Sequence, residues 1–229
     1  MNILPKLPYT IYYINLDRRP DRRKHMEHIL QNNTTIRIQA VDYQNNFAPY
    51  TVLKHSVVTL GLYAGSCSHI IALNTFLTTS TDEYAFIAED DIEDTYSQYW
   101  KPYHYDLLTS DKFDILQMQT TSDKYNNSRL TEIRLQESGA AFYRIRRSIA
   151  QKIVDTFYNK ATINLTLHNY PVADKLIWDF GTVFLIPMVS YLDVKDSDTM
   201  PEQTKNMNEY WINFFSNAKA KYLHYWKNI

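Results

Sequence analysis

Strand-like and helix-like segments alternate along this chain of 229 residues, and this alternation constrains its fold more than any other feature. Residues 9–16 are rich in β-branched and aromatic side chains, which is typical of a buried strand. Pro20 then stands where the first turn of a helix tolerates proline, and Met26, Ile29 and Leu30 fall on one helical face. The pattern predicts further strands at 36–41, 84–88, 113–119 and 183–189 and a pair of strands near Gly139. It predicts helices that begin at Ser66 and at Pro171, a helix over 146–158 that Ser148 caps, and a helix over 207–226. It therefore indicates an α/β domain with a mixed, mainly parallel sheet flanked by helices, and we expect one domain over 1–229.

The amino-acid composition limits the kinds of partner and compartment that suit this chain. With 24 basic and 25 acidic residues the net charge is -1, so no overall field attracts nucleic acid. The single cysteine, Cys67, suits a reducing compartment. We expect no secretory leader and no apolar run long enough to span a bilayer, and hence a cytoplasmic protein. Low glycine with many asparagines and tyrosines indicates an AT-rich genome, so we expect a bacterial or virus-infected cell. The four glycines form neither of the common phosphate-binding loop motifs.

Two charged clusters follow predicted strands. One cluster comes after the first strand and consists of Asn15, Leu16, Asp17, Arg18 and Arg19 with Arg22 and Arg23. The other has five acids in six positions, Glu89, Asp90, Asp91, Glu93 and Asp94, after the strand at 84–88. Ligands of open α/β sheets bind at this strand end, and arginines beside carboxylates suit a nucleoside diphosphate bridged by a cation. Oxygen ligands favour Mg²⁺ or Mn²⁺. The alternative is a solvated loop and a charged first helical turn, and for Glu93 and Asp94 we expect a turn in water.

The segment GLYAGSCSHIIAL adds a third element. Gly61 and Gly65 predict a tight turn, followed by a helix capped by Ser66 or Ser68. Ser68 and His69 would then lie where a helix N-terminus offers amides to an anion or a ribose. The alternative is a packed helix in which His69 bonds a neighbour.

These stretches, in this order, resemble glycosyltransferase family 25, which includes lipo-oligosaccharide galactosyltransferases and procollagen galactosyltransferases. The matching pieces are YYINLDRRPDRR, GSCSHIIAL, FIAEDD, SGAAFYRIRRSIAQKIV, PVADKLI and DSDT. They extend from residue 11 to about residue 199, with the C-terminal helix at 207–229 outside the match. Thr199 departs from the isoleucine that the family often has there.

The resemblance implies a GT-A-like fold, a UDP-sugar donor, a divalent metal, and transfer of galactose or glucose with inversion to a glycan or hydroxylysine acceptor. It assigns Asp91 and Glu89 to the metal, Asp90 to the ribose side, and Leu16, Arg18, Arg22, Ser68 and His69 to the donor site. Asp174 matches an aspartate that follows a proline in the family, and it is the candidate base, with Asp198 and Asp179 as alternatives. His168, His224 and Asp198 remain open as a third metal ligand.

Two other functions stay open. A nucleotidyltransferase or phosphohydrolase could use the same acids, and a sugar-binding module could keep the fold without turnover. The aromatic segment 96–105 is predicted to form one side of the acceptor site. The alternative is that its side chains pack in the hydrophobic core. The C-terminal helix, with Lys219, Lys221 and Lys227 beside aromatic residues, could contact a membrane, pack on the domain, or form a homodimer.

Overall fold

The computed structural model describes residues 2–55, 58–120, 131–133, 139–191 and 205–228. The helices of this part are α1 Pro20–Ile29, α2 Leu60–Thr79, α3 Pro102–Thr109, α4 Arg147–Phe157, α5 Ala173–Trp178 and α6 Lys205–Lys227. The strands are β1 Ile11–Asn15, β2 Thr35–Gln39, β3 Thr51–Leu53, β4 Tyr84–Glu89, β5 Ile92–Glu93, β6 Ile115–Gln117, β7 Thr131–Ile133, β8 Phe142–Arg146, β9 Tyr158–Asn159, β10 Thr162–Asn164, β11 Val183–Leu185 and β12 Ser190–Tyr191.

The central sheet has the strand order β2-β1-β4-β8-β6-β11-β7. Strand β1 pairs in parallel with β2 and β4, and β6 pairs in parallel with β11. Strand β8 runs antiparallel between β4 and β6, and β7 runs antiparallel to β11. Five of the seven strands therefore point the same way, which confirms the predicted α/β class with a mixed, mainly parallel sheet.

Hydrophobic cores cover both faces of this sheet. Alternate residues of β1 enter opposite cores, since Tyr12 and Ile14 pack with α2, α4 and α5, whereas Ile11 and Tyr13 pack with α1, α3 and α6. All five residues of β1 are buried, as are the first five of β4. A strand covered on both faces needs a continuous apolar run, which is why these two segments were the clearest strand signals in the sequence.

Helix α2 begins earlier than the sequence pattern predicts. It starts at Leu60, where the Thr59 hydroxyl accepts a hydrogen bond from the Leu62 amide, so Gly61 and Gly65 lie inside the helix. The predicted turn between the two glycines and the predicted cap at Ser66 or Ser68 are therefore wrong. Burial of the helix against the sheet outweighs the cost of about 1 kcal/mol that each helical glycine adds.

Helix α2 is also relevant to the expectation that no apolar run is long enough to span a bilayer. By length and composition alone Leu60–Thr79 could do so, with a mean hydropathy of 1.2 over its most apolar window. Two thirds of that window, 67%, is buried inside the fold. Packing within the core thus accounts for its apolar composition.

Other element boundaries also differ in detail from the prediction. Helix α1 carries Pro20 in its first turn as expected. Helix α4 has Arg146 at its N-cap without a side-chain bond, so the predicted capping role of Ser148 is wrong. Helix α5 begins at Ala173, two residues after Pro171.

The C-terminal helix packs on the domain through part of its predicted aromatic face. Ala218, Tyr222 and Trp226 are buried in the core that contains α1 and α3. The Trp226 indole donates to the Pro187 carbonyl at 2.7 Å and stacks on Tyr96 with ring centroids 6.2 Å apart. The side chains of Met207, Trp211 and Phe214 lie outside the described residues, and membrane contact and a homodimer stay predictions.

Candidate functional site

A cleft opens at the carboxyl edge of β1, β2 and β4. It holds a cavity of about 120 Å³ that opens to solvent at its mouth. Ile14 of β1 lies opposite Glu89 of β4, so the polar residues that follow these two strands emerge side by side. The walls are formed by Ile14, Leu16, Arg18, Arg22, Ala40, Val41, Asp42, Tyr43, Gly61, Ala64, Gly65, Ser68, His69, Glu89, Asp90 and Asp91. The structure thus brings together every residue assigned to the donor or the metal, except the candidates for a third metal ligand.

Asp90 is held by protein partners on both carboxylate oxygens. The Arg22 guanidinium donates to Asp90 Oδ1 at 2.9 Å, and the Asn15 amide donates to Asp90 Oδ2 at 2.6 Å. Arg37 in turn donates to the Asn15 Oδ1 at 3.0 Å, which fixes the orientation of that amide. Burial raises the pKa of Asp90, while Arg22 and Asn15 lower it. Asp90 therefore positions Arg22 in the cleft wall, and its predicted proximity to a ribose stays a prediction.

Asp91 has a buried carboxylate oxygen without a hydrogen-bond partner. Its Oδ1 atom is buried and has no hydrogen-bond partner, while its Oδ2 lies 3.5 Å from the Arg22 guanidinium. Burial, followed by the charge of Glu89, raises the pKa of Asp91 to about 8. A buried carboxylate oxygen without a donor is the atom that a cation or a proton would satisfy.

The donor set limits the kind of metal site that would fit. Among the residues that the structure describes, no three His, Cys, Asp or Glu side chains are grouped to hold a metal ion. Mg²⁺ commonly needs only one or two carboxylates, because waters and substrate phosphates supply the remaining ligands. Asp91, with Glu89 beside it, fits a site of that kind and does not fit an all-protein metal cage.

The residues considered as a third metal ligand lie in other surroundings. His168 pairs with Asp179 at 2.9 Å, and His224 is exposed on α6. Asp198 lies outside the described residues. Neither described histidine joins the acids of the cleft.

His69 of α2 contacts the Glu89 carboxylate and orients it. Its ring is 1% exposed, with Nε2 3.1 Å from Glu89 Oε1 and Nδ1 3.1 Å from the Tyr143 hydroxyl. The ring also stacks on Tyr143, with centroids 5.8 Å apart. Because α2 begins at Leu60, His69 lies well inside the helix, and its predicted place at a helix N-terminus is wrong. His69 is therefore a packed helix residue that bonds a neighbour, as the alternative interpretation had it, although that neighbour, Glu89, faces the cleft.

Ser68 also lies inside α2 and not at the helix N-terminus. Its hydroxyl donates to the Ala64 carbonyl at 2.7 Å and accepts from the Val41 amide at 2.8 Å. This pair of bonds ties α2 to the segment that follows β2. Ser68 therefore fixes the distance between two walls of the cleft.

Arg18 and Asp42 form an ion pair at the mouth of the cleft. The two side chains are 3.0 Å apart, and Asp42 also accepts from the Gln44 amide. Asp42 and Arg37 were not predicted to belong to the site, whereas Asn15 was part of the polar cluster predicted after the first strand. Asp42 could have been found, since it follows β2 at the same edge of the sheet.

Asp174 lies next to the acids but outside the lining of the cleft. Both of its oxygens accept backbone amides, from Gly139 at 3.1 Å and from Ala140 at 3.2 Å. Burial raises the pKa of Asp174, and the charge of Glu89 raises it further. Gly139 has φ of +125°, so this contact holds a turn that only glycine adopts readily. Its alternative Asp179 pairs with His168 instead.

Tyr191 was missed by the sequence analysis. It lies on β12, which pairs with β5 immediately after the acids. Burial, followed by the charges of Glu89, Asp91 and Asp174, raises its pKa well above the usual value. The tyrosine hydroxyl therefore belongs to the same electrostatic environment as the carboxylates.

Glu93 and Asp94 are not in water as predicted. Glu93 forms an ion pair with Lys219 of α6, and Asp94 is 3% exposed and accepts from the Ser97 amide at 3.1 Å. Both acids therefore anchor the chain beyond the cleft.

The aromatic segment 96–105 is divided between core and surface. Tyr96 and Trp100 are buried, whereas Tyr103 and Tyr105 are exposed and lie outside the lining of the cleft. Packing explains the first two residues. A contact with an acceptor stays a prediction for the other two.

Comparisons with known proteins give little similarity. No family model matches the chain, and no curated protein matches it. Among solved structures, the crystal structure of A197 from STIV is similar with a TM-score of 0.44 at 9% identity, over 80% of this chain and 83% of that one. The inositol-1-phosphate CTP transferase from T. maritima is similar with a TM-score of 0.41 at 11% identity, over 95% of this chain and 98% of that one.

Proposed function

We propose that this chain is a glycosyltransferase of the family 25 kind, which moves galactose or glucose from a UDP-sugar to a hydroxyl acceptor with inversion and needs Mn²⁺ or Mg²⁺. The observation that carries the proposal is the meeting of Arg22 with Asp90 and Asp91 in one cleft wall, from segments 68 residues apart. A guanidinium beside carboxylates at the carboxyl edge of an α/β sheet suits a diphosphate and its cation. The acceptor would be a glycan or hydroxylysine.

The residues of the cleft have distinct tasks in this proposal. Arg22 and Arg18 would contact the donor diphosphate or ribose, and Leu16 would contact the nucleoside. Asp91 and Glu89 would hold the divalent cation, which when bound neutralises charge on the departing diphosphate. His69 would keep the Glu89 carboxylate facing the cleft through the 3.1 Å contact.

Asp174 is the proposed base for the acceptor hydroxyl. Its raised pKa would make it a stronger base than an exposed aspartate, provided that it is ionised when the acceptor binds. The Asp174→Asn variant should lower kcat by about 10²-fold to 10⁴-fold and leave the affinity for UDP unchanged. The asparagine side chain keeps only one of the two acceptor oxygens, so the thermal midpoint should fall in either case. If Asp174 only anchors the turn at Gly139, the UDP affinity will fall together with kcat.

The decisive assay is release of UDP from UDP-galactose and UDP-glucose with and without Mn²⁺. The wild-type chain should release UDP only with the cation, and Asp91→Asn should abolish the release. Asp106→Asn is the matched control, because Asp106 is an exposed aspartate on α3 and away from the cleft.

The same assay separates the two other functions. Metal-dependent turnover of CTP or of simple phosphate esters, without release of UDP, would replace this proposal by a nucleotidyltransferase or phosphohydrolase. Binding of sugars without turnover of any nucleotide sugar would indicate a binding module.

A further inference from the structure

Arg22 contacts both Asp90 and Asp91, the second of which is proposed to hold the cation. One guanidinium nitrogen, Nη1, lies 2.9 Å from Asp90 Oδ1 and 3.5 Å from Asp91 Oδ2. The Arg22 side chain is only 11% exposed, so this contact is shielded from solvent and from salt. The two aspartates are thus already partly neutralised by a charge of the chain itself.

A divalent cation that approached Asp91 would meet this guanidinium. Like charges at such a distance repel, and the repulsion is strong where water is scarce. The Oδ1 atom of Asp91 is buried and has no hydrogen-bond partner, so it could bind a cation. The positive charge of Arg22 would repel that cation. Without nucleotide, the cation should therefore bind weakly.

A diphosphate would change this balance. Arginine can bind two phosphate oxygens at once through two nitrogens, whereas a single nitrogen of Arg22, Nη1, contacts both aspartates, at 2.9 Å and 3.5 Å. Asn15 holds the other oxygen of Asp90 at 2.6 Å, so that carboxylate would keep its place when the guanidinium leaves. Both aspartates would then face the cleft with their negative charge exposed to the cation.

We propose that Arg22 takes the place of the cation beside Asp91 until a diphosphate draws it away, so that nucleotide and cation bind cooperatively. This inference rests on the proposed function. It makes Arg22 the residue through which the nucleotide controls the affinity for the metal. By linkage, the cation must raise the affinity for the nucleotide by the same factor.

The test is the affinity for Mn²⁺ with and without saturating UDP, measured by calorimetry and by the electron paramagnetic resonance signal of free Mn²⁺. In Arg22→Gln, Mn²⁺ should bind without nucleotide about tenfold more tightly than in wild type, and the tightening by UDP should shrink. Arg23→Gln is the matched control, because Arg23 lies on the same helix, is 51% exposed and pairs with Glu27. It should behave like wild type.

A second comparison covers the case in which Arg22→Gln fails to fold because two buried acids lose their partner. Asp90→Asn with Arg22→Gln removes one charge of each sign, and it is compared with Asp90→Asn alone. The double variant should bind Mn²⁺ without nucleotide more tightly than the single variant.

The outcomes separate this inference from the proposed function. If Mn²⁺ and UDP bind together in wild type but loss of Arg22 does not tighten Mn²⁺ in either comparison, the role of Arg22 is refuted and the proposed function stands. If wild type shows no Mn²⁺-dependent binding of UDP, both are refuted.

Discussion

Gly65 offers a substitution that should separate stability from binding. It lies inside α2 and lines the cleft, and a Cβ atom built on it would have nothing within 4 Å. Alanine in a helix interior is favoured over glycine by about 0.5–1 kcal/mol. For a chain of this length, 1 kcal/mol corresponds to about 2–4 °C in the thermal midpoint. Gly65→Ala should therefore raise the thermal midpoint by about 1–4 °C.

Gly65→Leu extends the same change into the cleft. Leucine is a good helix former, so the free energy of unfolding should stay at or above that of wild type. Its side chain would fill space in which the nucleotide is proposed to lie, and we expect affinity for UDP to fall about tenfold or more, equal to about 1.4 kcal/mol. Urea denaturation and calorimetric titration with UDP and Mn²⁺ measure the two quantities. A destabilised Gly65→Ala, or Gly65→Leu that binds UDP as wild type does, would refute the reasoning.

Four further predictions concern the acids and the backbone near the cleft. Because the pKa of Asp91 is raised to about 8, a bound cation must displace a proton below that pH, so Mn²⁺ affinity should rise between pH 6 and pH 8; a flat calorimetric profile would contradict this. The raised pKa also means that the native state binds this proton more tightly than the unfolded state, so the metal-free chain should lose stability as pH rises from about 4 to about 8. Asp91→Asn should reduce that loss in urea denaturation without removing it, because the pKa values of Asp90 and Asp174 are also raised. Gly139→Ala should lower the free energy of unfolding by about 1–3 kcal/mol, because φ is +125° and the new Cβ would lie 2.6 Å from Gln119 Oε1; unchanged stability would be contrary to the structure. Ser68→Ala should cost about 1–3 kcal/mol, because the buried Val41 amide loses its acceptor, and normal stability would show that another acceptor replaces it.

The sequence predicted the sheet and the meeting of the two charged clusters well. Strands β1 and β4 are covered on both faces, so their sequences are apolar up to the last residue, Asn15 or Glu89, and easily recognised. The clusters follow parallel neighbours, and parallel strands that pair as Ile14 and Glu89 do must deliver their next residues to one edge. Local pattern and sheet geometry were sufficient for that prediction.

The errors concern contacts that form only in the folded chain. Gly61 and Gly65 suggested a turn, since glycine disfavours helices locally, but burial of α2 against the sheet decides its start. Glu93 was assigned to water, yet its partner Lys219 is 126 residues away on α6. Tyr191 comes near the acids because β12 pairs with β5, and no local signal indicates a pairing of two-residue strands.

The central claim is that the cleft binds a uridine nucleotide together with a divalent cation held by Asp91. The most direct measurement is calorimetric titration of UDP, with and without Mn²⁺, into wild type, Asp91→Asn and the control Asp106→Asn. The proposal predicts Mn²⁺-dependent binding in wild type and in the control, and its loss in Asp91→Asn with the fold intact by circular dichroism. Equal binding of UDP by Asp91→Asn and wild type, or binding that does not depend on Mn²⁺, would contradict it.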